Sequence, residues 1–190
     1  INRLMTDQVA DRLYTTERSA EANLLREGIT ADRVCFVGNV MIDSLHDNKA
    51  QARDAGATLR EHGLDPGLLA HPKGYGVVTL HRPSNVDDQS TLATLVDELQ
   101  KVAARLPLVF PVHPRTLKNL RQFGLHERLA ATPGVHLCEP VGYVQFMNLV
   151  SHAALCITDC GGVQEETTYL DIPCLTVRPN TERPITVTEG

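Results

Sequence analysis

From residue 75 onward, short apolar runs alternate with amphipathic stretches. The runs occupy residues 76–80, 108–112, 135–138, 154–158 and 173–177. Most are continuously apolar rather than alternating, which suits strands of a parallel sheet buried on both faces. Between the first two, Leu92, Leu95, Val96, Leu99, Val102 and Ala103 fall at helical spacing, with Asp87, Asp88 and Ser90 available as caps. Residues 116–123 read as another helix, closed by Gly124, and Phe146, Met147, Leu149 and Val150 mark a shorter one. Strands separated by helices imply right-handed βαβ crossovers. The expected class is therefore α/β, a Rossmann-like doubly wound parallel sheet.

The first 45 residues read separately. Residues 12–15 and 34–37 are expected strands flanking a helix over 17–26, with Thr16 as cap and Gly28 as stop. One helix between two strands cannot bury a core alone, so residues 1–45 are expected to close another sheet, that of an N-terminal Rossmann-like domain. Residues 46–74 are polar with Gly and Pro near their end, and are expected as a helix and linker into a second domain over 75–190. The start, Ile1-Asn2-Arg3-Leu4, shows neither an initiator Met nor a signal-peptide pattern, and the expectation is a portion excised from a longer protein.

Composition narrows the function classes. The 190 residues are 42% hydrophobic and 22% charged, with a formal net charge of −5, which gives no basic footprint for nucleic acid. No apolar run approaches the length of a membrane span. The five cysteines, Cys35, Cys138, Cys156, Cys160 and Cys174, are odd in number and show no zinc-site spacing. Reduced thiols, a cytoplasmic setting and no structural metal are expected.

Each of the later apolar runs has a polar group at or just past its end: His81-Arg82, His113 with Arg115, Glu139, Asp159, and Arg178 with Arg183. In parallel strands these groups would share one rim, where open α/β sheets bind ligands. In the stretch Asp159-Cys160-Gly161-Gly162-Val163-Gln164-Glu165-Glu166, a buried strand meets a tight turn and a helix start. A helix N-terminus offers unpaired N–H groups and partial positive charge, and glycines let a phosphate approach. Glu166, one turn in, suits sugar hydroxyls. His81 suits phosphate or proton transfer, and Arg82 and Arg183 suit phosphate. The plainer readings are an ordinary strand-to-helix turn, a solvated Arg82, caps at Asn85, Asp87 and Thr116, and a Glu182–Arg178 pair that stiffens its loop.

Taken together, these motifs resemble the non-hydrolysing UDP-N-acetylglucosamine 2-epimerases. The resemblance rests on His81-Arg82 followed by Asn85-Val86-Asp87, on Pro111-Val112-His113, on Asp159 to Glu166, and on Thr181-Glu182-Arg183-Pro184. Residues 23–28 and 37–43 also look like family stretches, so the likeness spans nearly the whole chain. It implies two Rossmann-like domains in the GT-B arrangement, with this chain supplying the GT-B-type second domain. It implies interconversion of UDP-GlcNAc and UDP-ManNAc by elimination and re-addition of UDP, without cofactor or metal. Cys160, Gly161 and Gly162 would hold the diphosphate, Glu166 the ribose and Arg183 the phosphates. His81 would stand beside the diphosphate as the catalytic candidate, with Arg82, His113 and Arg115 on the UDP rim and Tyr143 near the uracil. The family's acid/base carboxylates would lie before Ile1, so these residues alone are expected to bind UDP weakly and not to turn over. A homodimer is the expected full-length assembly.

Two positions depart from the family pattern. Pro83-Ser84 stands where Arg-Glu is common. In bacterial members that Glu serves a regulatory UDP-GlcNAc site, so such activation is not implied here. Cys160 replaces a Ser, keeping a small side chain and a backbone N–H. The competing readings are a UDP-sugar glycosyltransferase of the same layout, a hydrolysing relative that releases ManNAc, and a non-catalytic nucleotide-sugar sensor.

Overall fold

The computed structural model describes residues 1–49, 54–181 and 183–188. It divides into two units, Ile1–His46 and Asp47–Gly190. In the first, α1 (Asn2–Val9) precedes β1 (Leu13–Thr15), α2 (Arg18–Arg26), a 3-10 turn, β2 (Val34–Phe36) and the start of α3 (Val40–Lys49). β1 and β2 pair in parallel, with Leu13 opposite Val34 and Thr15 opposite Phe36. Leu13, Leu24 and Ile29 form a small buried cluster under the crossover. Thr16 is not the cap of α2: Glu17 holds that position, and no side chain caps it. Gly28 sits at φ 87, the left-handed turn that ends a helix. The sequence reading did not include α1, whose Leu4, Met5 and Val9 share one face although none of its residues is buried.

In the second unit, α4 (Ala55–Glu61) and a 3-10 turn at Pro66–Ala70 occupy much of the stretch expected as linker. α4 buries Ala55 and Leu59, and its Thr58 Oγ1 accepts from Asn148 Nδ2 at 3.0 Å, so this segment is part of the packed unit. Then follow β3 (Gly76–Thr79), α5 (Pro83–Val86), α6 (Gln89–Ala103), β4 (Leu108–Pro111), α7 (Pro114–Gln122), α8 (His126–Ala130) and β5 (Val135–Cys138). The chain ends with α9 (Tyr143–Ser151), β6 (Leu155–Thr158), α10 (Gly161–Tyr169), β7 (Cys174–Thr176) and α11 (Ile185–Thr188). The five strands lie in the order β5-β4-β3-β6-β7, every neighbouring pair parallel.

Adjacent strand residues face opposite sides, so Val77 and Val78, both fully buried, serve the two faces of β3. Val78 joins Phe110 and Ile157 beneath Leu92, Val96 and Leu99 of α6, Leu120 of α7 and Leu129 of α8. Each such aliphatic side chain contributes about 1.5–3 kcal/mol on burial. α9 instead packs with α4, and Tyr75 beside Val77 donates its hydroxyl to the Leu149 carbonyl at 2.7 Å. Helices on both faces make the sheet doubly wound.

The helix starts follow side-chain chemistry. Asp88 caps α6 by accepting from the Thr91 N–H at 2.8 Å, while Asp87 ends the preceding turn of helix α5. Thr116 is not the cap of α7; His113 is, and the fully buried Thr116 hydroxyl bonds the Leu80 carbonyl. Gly134, at φ 82, lets the turn before β5 press on the end of α6, where a Cβ would come 2.7 Å from the Ala103 carbonyl oxygen. Gly134→Ala is therefore expected to cost about 2 kcal/mol or more, read as a lowered urea midpoint at unchanged m-value. Among the described residues, no helix is long and apolar enough to cross a membrane.

Candidate functional site

The sheet order places a crevice at one point. β3 is central; the chain moves outward through β4 to β5, then returns to β6 on the other side of β3. Crossovers leaving β3 and β6 diverge to opposite faces, and the gap beyond their carboxyl ends is the ligand position of such sheets. The turn after β3 carries His81 and Arg82, and the turn after β6 carries Asp159 to Gly162.

Asp159 binds these turns together. It is fully buried, and its carboxylate accepts from the His81 N–H at 3.1 and 3.0 Å, the Arg82 N–H at 2.8 Å and Asn85 Nδ2 at 3.0 Å. Asn85 also donates to the Val177 carbonyl at 2.9 Å, which adds the turn after β7. Neither residue is an exposed ligand group. Asn85 is not a cap but a buried tie, and Asp159 satisfies its charge with N–H donors.

The His81 ring lies over this carboxylate, with Nδ1 at 3.3 Å from Asp159 Oδ1. Its centroid is 5.5 Å from that of His113. Burial holds the His81 pKa below its ordinary 6.5; Asp159 opposes this, while His113 and Arg82 add to it. His113 accepts the Arg115 N–H on Nδ1 at 3.2 Å, which leaves the hydrogen of its neutral ring on Nε2. Arg115 reaches the rim, yet its guanidinium engages Asp87 through Nε to Oδ1 at 2.8 Å and Nη2 to Oδ2. The pair is about half exposed, so a ligand would compete with Asp87 for Arg115.

α10 supplies the other wall. Its N-cap is Cys160, whose N–H donates to Thr158 Oγ1 at 3.0 Å. Cys160 therefore does not offer the backbone donor that the sequence suggested, and the helix-end donors begin at Gly161 and Gly162. Glu166, 2% exposed, accepts the Tyr143 hydroxyl at 2.8 Å. Burial raises the Glu166 pKa and Glu165 adds to this, while the Tyr143 bond opposes it. Tyr143 is itself pushed up to about 12, by burial first and then by Glu166. Tyr143 remains 43% exposed.

The neighbouring α10 side chains hold the last loop. Gln164 Oε1 accepts the Thr181 hydroxyl at 2.7 Å, and Thr181 Oγ1 accepts the Arg183 N–H at 2.9 Å. Arg183 Nε lies 2.9 Å from Glu165 Oε2, a buried ionic contact without hydrogen-bond alignment. The expected Glu182–Arg178 pair falls outside the described residues because Glu182 does. Sequence reading thus assigned no role to Gln164, Glu165 or the Asp159–Asn85 tie. The available signal was a carboxylate closing an apolar strand with no cation beside it in sequence.

The sequence profile of the UDP-N-acetylglucosamine 2-epimerase family matches residues 1–190. The chain belongs to this family. It is 37% identical over 195 residues to the UDP-N-acetylglucosamine 2-epimerase of Methanocaldococcus jannaschii, covering 100% of this chain and 51% of that protein. It is 36% identical over 185 residues to the UDP-2,3-diacetamido-2,3-dideoxy-D-glucuronate 2-epimerase of Pseudomonas aeruginosa, covering 96% of this chain and 48% of the relative. The crystal structure of the M. jannaschii UDP-GlcNAc 2-epimerase in complex with UDP-GlcNAc and UDP superposes with a TM-score of 0.79 at 35% identity, over 100% of this chain and 51% of that one. The chain therefore spans about half the length of these relatives. In this family member, Pro83 opens α5 with Arg82 as its N-cap, and Ser84 is exposed. Cys160 is the N-cap of α10, where its thiol makes no capping bond.

Proposed function

We propose that this chain is the nucleotide half-site of a UDP-N-acetylglucosamine 2-epimerase. One observation carries the reading: the α10 N-terminus, Glu166 and Arg183 come from one helix and the loop it holds, at the switch point of a sheet whose sequence matches the epimerase family throughout. In the reaction a base removes the C2 proton and the C1–O bond breaks. UDP departs with the electron pair to leave 2-acetamidoglucal, and re-addition gives the opposite configuration at C2. The chain's part is to bind the leaving group. The Gly161 and Gly162 N–H groups and Arg183 meet the diphosphate charge, which grows as the bond breaks. Glu166 accepts the ribose hydroxyls, and Tyr143 steadies it at the ribose end. His81 stands beside the diphosphate. The functional protein is a cytoplasmic homodimer in this reading.

The test is incubation of the protein in its natural full length with UDP-GlcNAc in D₂O. UDP-ManNAc with deuterium at C2 and no acceptor is the expected product. Free ManNAc with UDP points to the hydrolysing relative, and an unchanged C2–H overturns the epimerase reading. A second sugar is favoured by one comparison, the 36% identity to an epimerase of UDP-2,3-diacetamido-2,3-dideoxy-D-glucuronate. Parallel assays with both nucleotide sugars distinguish the two, and UDP-GlcNAc is expected to be turned over faster. Within the site, Arg183→Ala is expected to weaken UDP binding about 10- to 100-fold by calorimetry. Arg115→Ala should weaken it less than threefold, because Asp87 already occupies that guanidinium at an exposed position.

A further inference from the structure

The backbone of Arg183 is clamped on both sides. Its N–H donates to Thr181 Oγ1 at 2.9 Å, and its carbonyl accepts the Thr186 hydroxyl at 2.7 Å. Thr181 is fixed in turn, because its hydroxyl donates to Gln164 Oε1 at 2.7 Å. A hydroxyl has one hydrogen to give and lone pairs with which to accept, so Thr181 uses both capacities to join Gln164 to Arg183. Gln164 is 4% exposed and lies one turn into α10, where its N–H donates to the Cys160 carbonyl at 3.3 Å. A relay of hydrogen bonds therefore runs from the helix end that carries Gly161 and Gly162 to the backbone of Arg183. The Arg183 side chain is also buried at its root, with Nε 2.9 Å from Glu165 Oε2 on the same helix.

We propose that Gln164 and Thr181 are positioning residues for Arg183: they set its guanidinium relative to the α10 N-terminus, so that a diphosphate meets both already ordered. This rests on the UDP reading of the crevice, in which the Gly161 and Gly162 N–H groups and Arg183 share one diphosphate. Helix-end donors and a guanidinium serve the same anion only if their separation suits it. The two groups come from different segments, and an unfixed loop would have to be ordered at the moment of binding. That ordering costs affinity, and a segment fixed beforehand avoids the cost. Gln164 supplies the fixed point because it belongs to the helix that carries the donors. Neither Gln164 nor Thr181 needs to touch the nucleotide. Loss of the Thr181 hydroxyl should therefore act only through Arg183.

The test is a double-mutant cycle, read by calorimetry of UDP binding to the protein in its natural full length. Thr181→Val keeps the side-chain shape and removes the hydroxyl, and is expected to weaken UDP binding about 3- to 10-fold. Thr181→Ser keeps the hydroxyl and should stay within about twofold of the unmodified protein. In an Arg183→Ala background, Thr181→Val should change affinity by less than about twofold, because the group it positions is gone. Gln164→Met removes the acceptor at similar length and is expected to repeat both results, which covers the case of a poorly folded valine variant. If both variants bind UDP normally, or weaken binding equally with and without Arg183, the proposal is overturned while the UDP reading stands. If Arg183→Ala leaves UDP affinity unchanged, or the unmodified protein binds no UDP, the UDP assignment itself fails, and the proposal with it.

Discussion

Glu166→Gln is expected to weaken UDP binding about 10- to 150-fold while the folded chain becomes no less stable. A hydrogen bond to a charged acceptor contributes about 1.5–3 kcal/mol, and the amide lacks the charge that two ribose hydroxyls would share. The stability half follows from linkage. Burial raises the Glu166 pKa above its ordinary 4.5, so at neutral pH the folded state carries an ionised group it disfavours relative to the unfolded chain. Gln removes that burden and still accepts the Tyr143 hydroxyl that Glu166 Oε1 now receives. The same shift sets a pH limit: as pH falls through the raised Glu166 pKa, the carboxylate protonates and UDP affinity falls. Calorimetry with UDP and thermal melts of both proteins measure the two halves. Lost affinity together with a lowered melting temperature would mean that Glu166 serves the fold rather than a ligand.

Asp159→Ala is expected to show the opposite pattern, a loss of about 3–5 kcal/mol of stability. The substitution strips the acceptor from the His81 and Arg82 N–H groups and from Asn85 Nδ2 at once. Unpaired buried donors cost about 1–3 kcal/mol each, partly recovered where water enters. Urea denaturation should show the unfolding free energy of the second unit lowered by that amount, and a change under about 1 kcal/mol would contradict the role of Asp159 as the tie between the turns.

The parallel sheet was legible in the sequence because strands buried on both faces are apolar at nearly every position, as at residues 76–80 and 108–112. The same logic hid α1, which buries nothing, and made residues 46–74 look like a helix and linker rather than part of the packed unit, although α4 buries Leu59 completely. In the site, the turn between strand and helix was legible because Gly161-Gly162 follow an apolar strand and open α10. The ties were not legible. Asn85 reaches Val177 across 92 positions of chain, and Arg115 turns from the rim to Asp87, a partner set by the geometry of α5 and α7. Cys160 was misread for a related reason: its N–H looked available until the Thr158 hydroxyl two residues earlier was placed on it.

The most direct test of the UDP site is a crystal structure of the protein in its natural full length with UDP. The diphosphate is expected against the Gly161 and Gly162 N–H groups with Arg183 beside it, and the ribose hydroxyls on the Glu166 carboxylate. A nucleotide seated elsewhere, or one whose ribose leaves Glu166 still bonded only to Tyr143, would contradict the assignment.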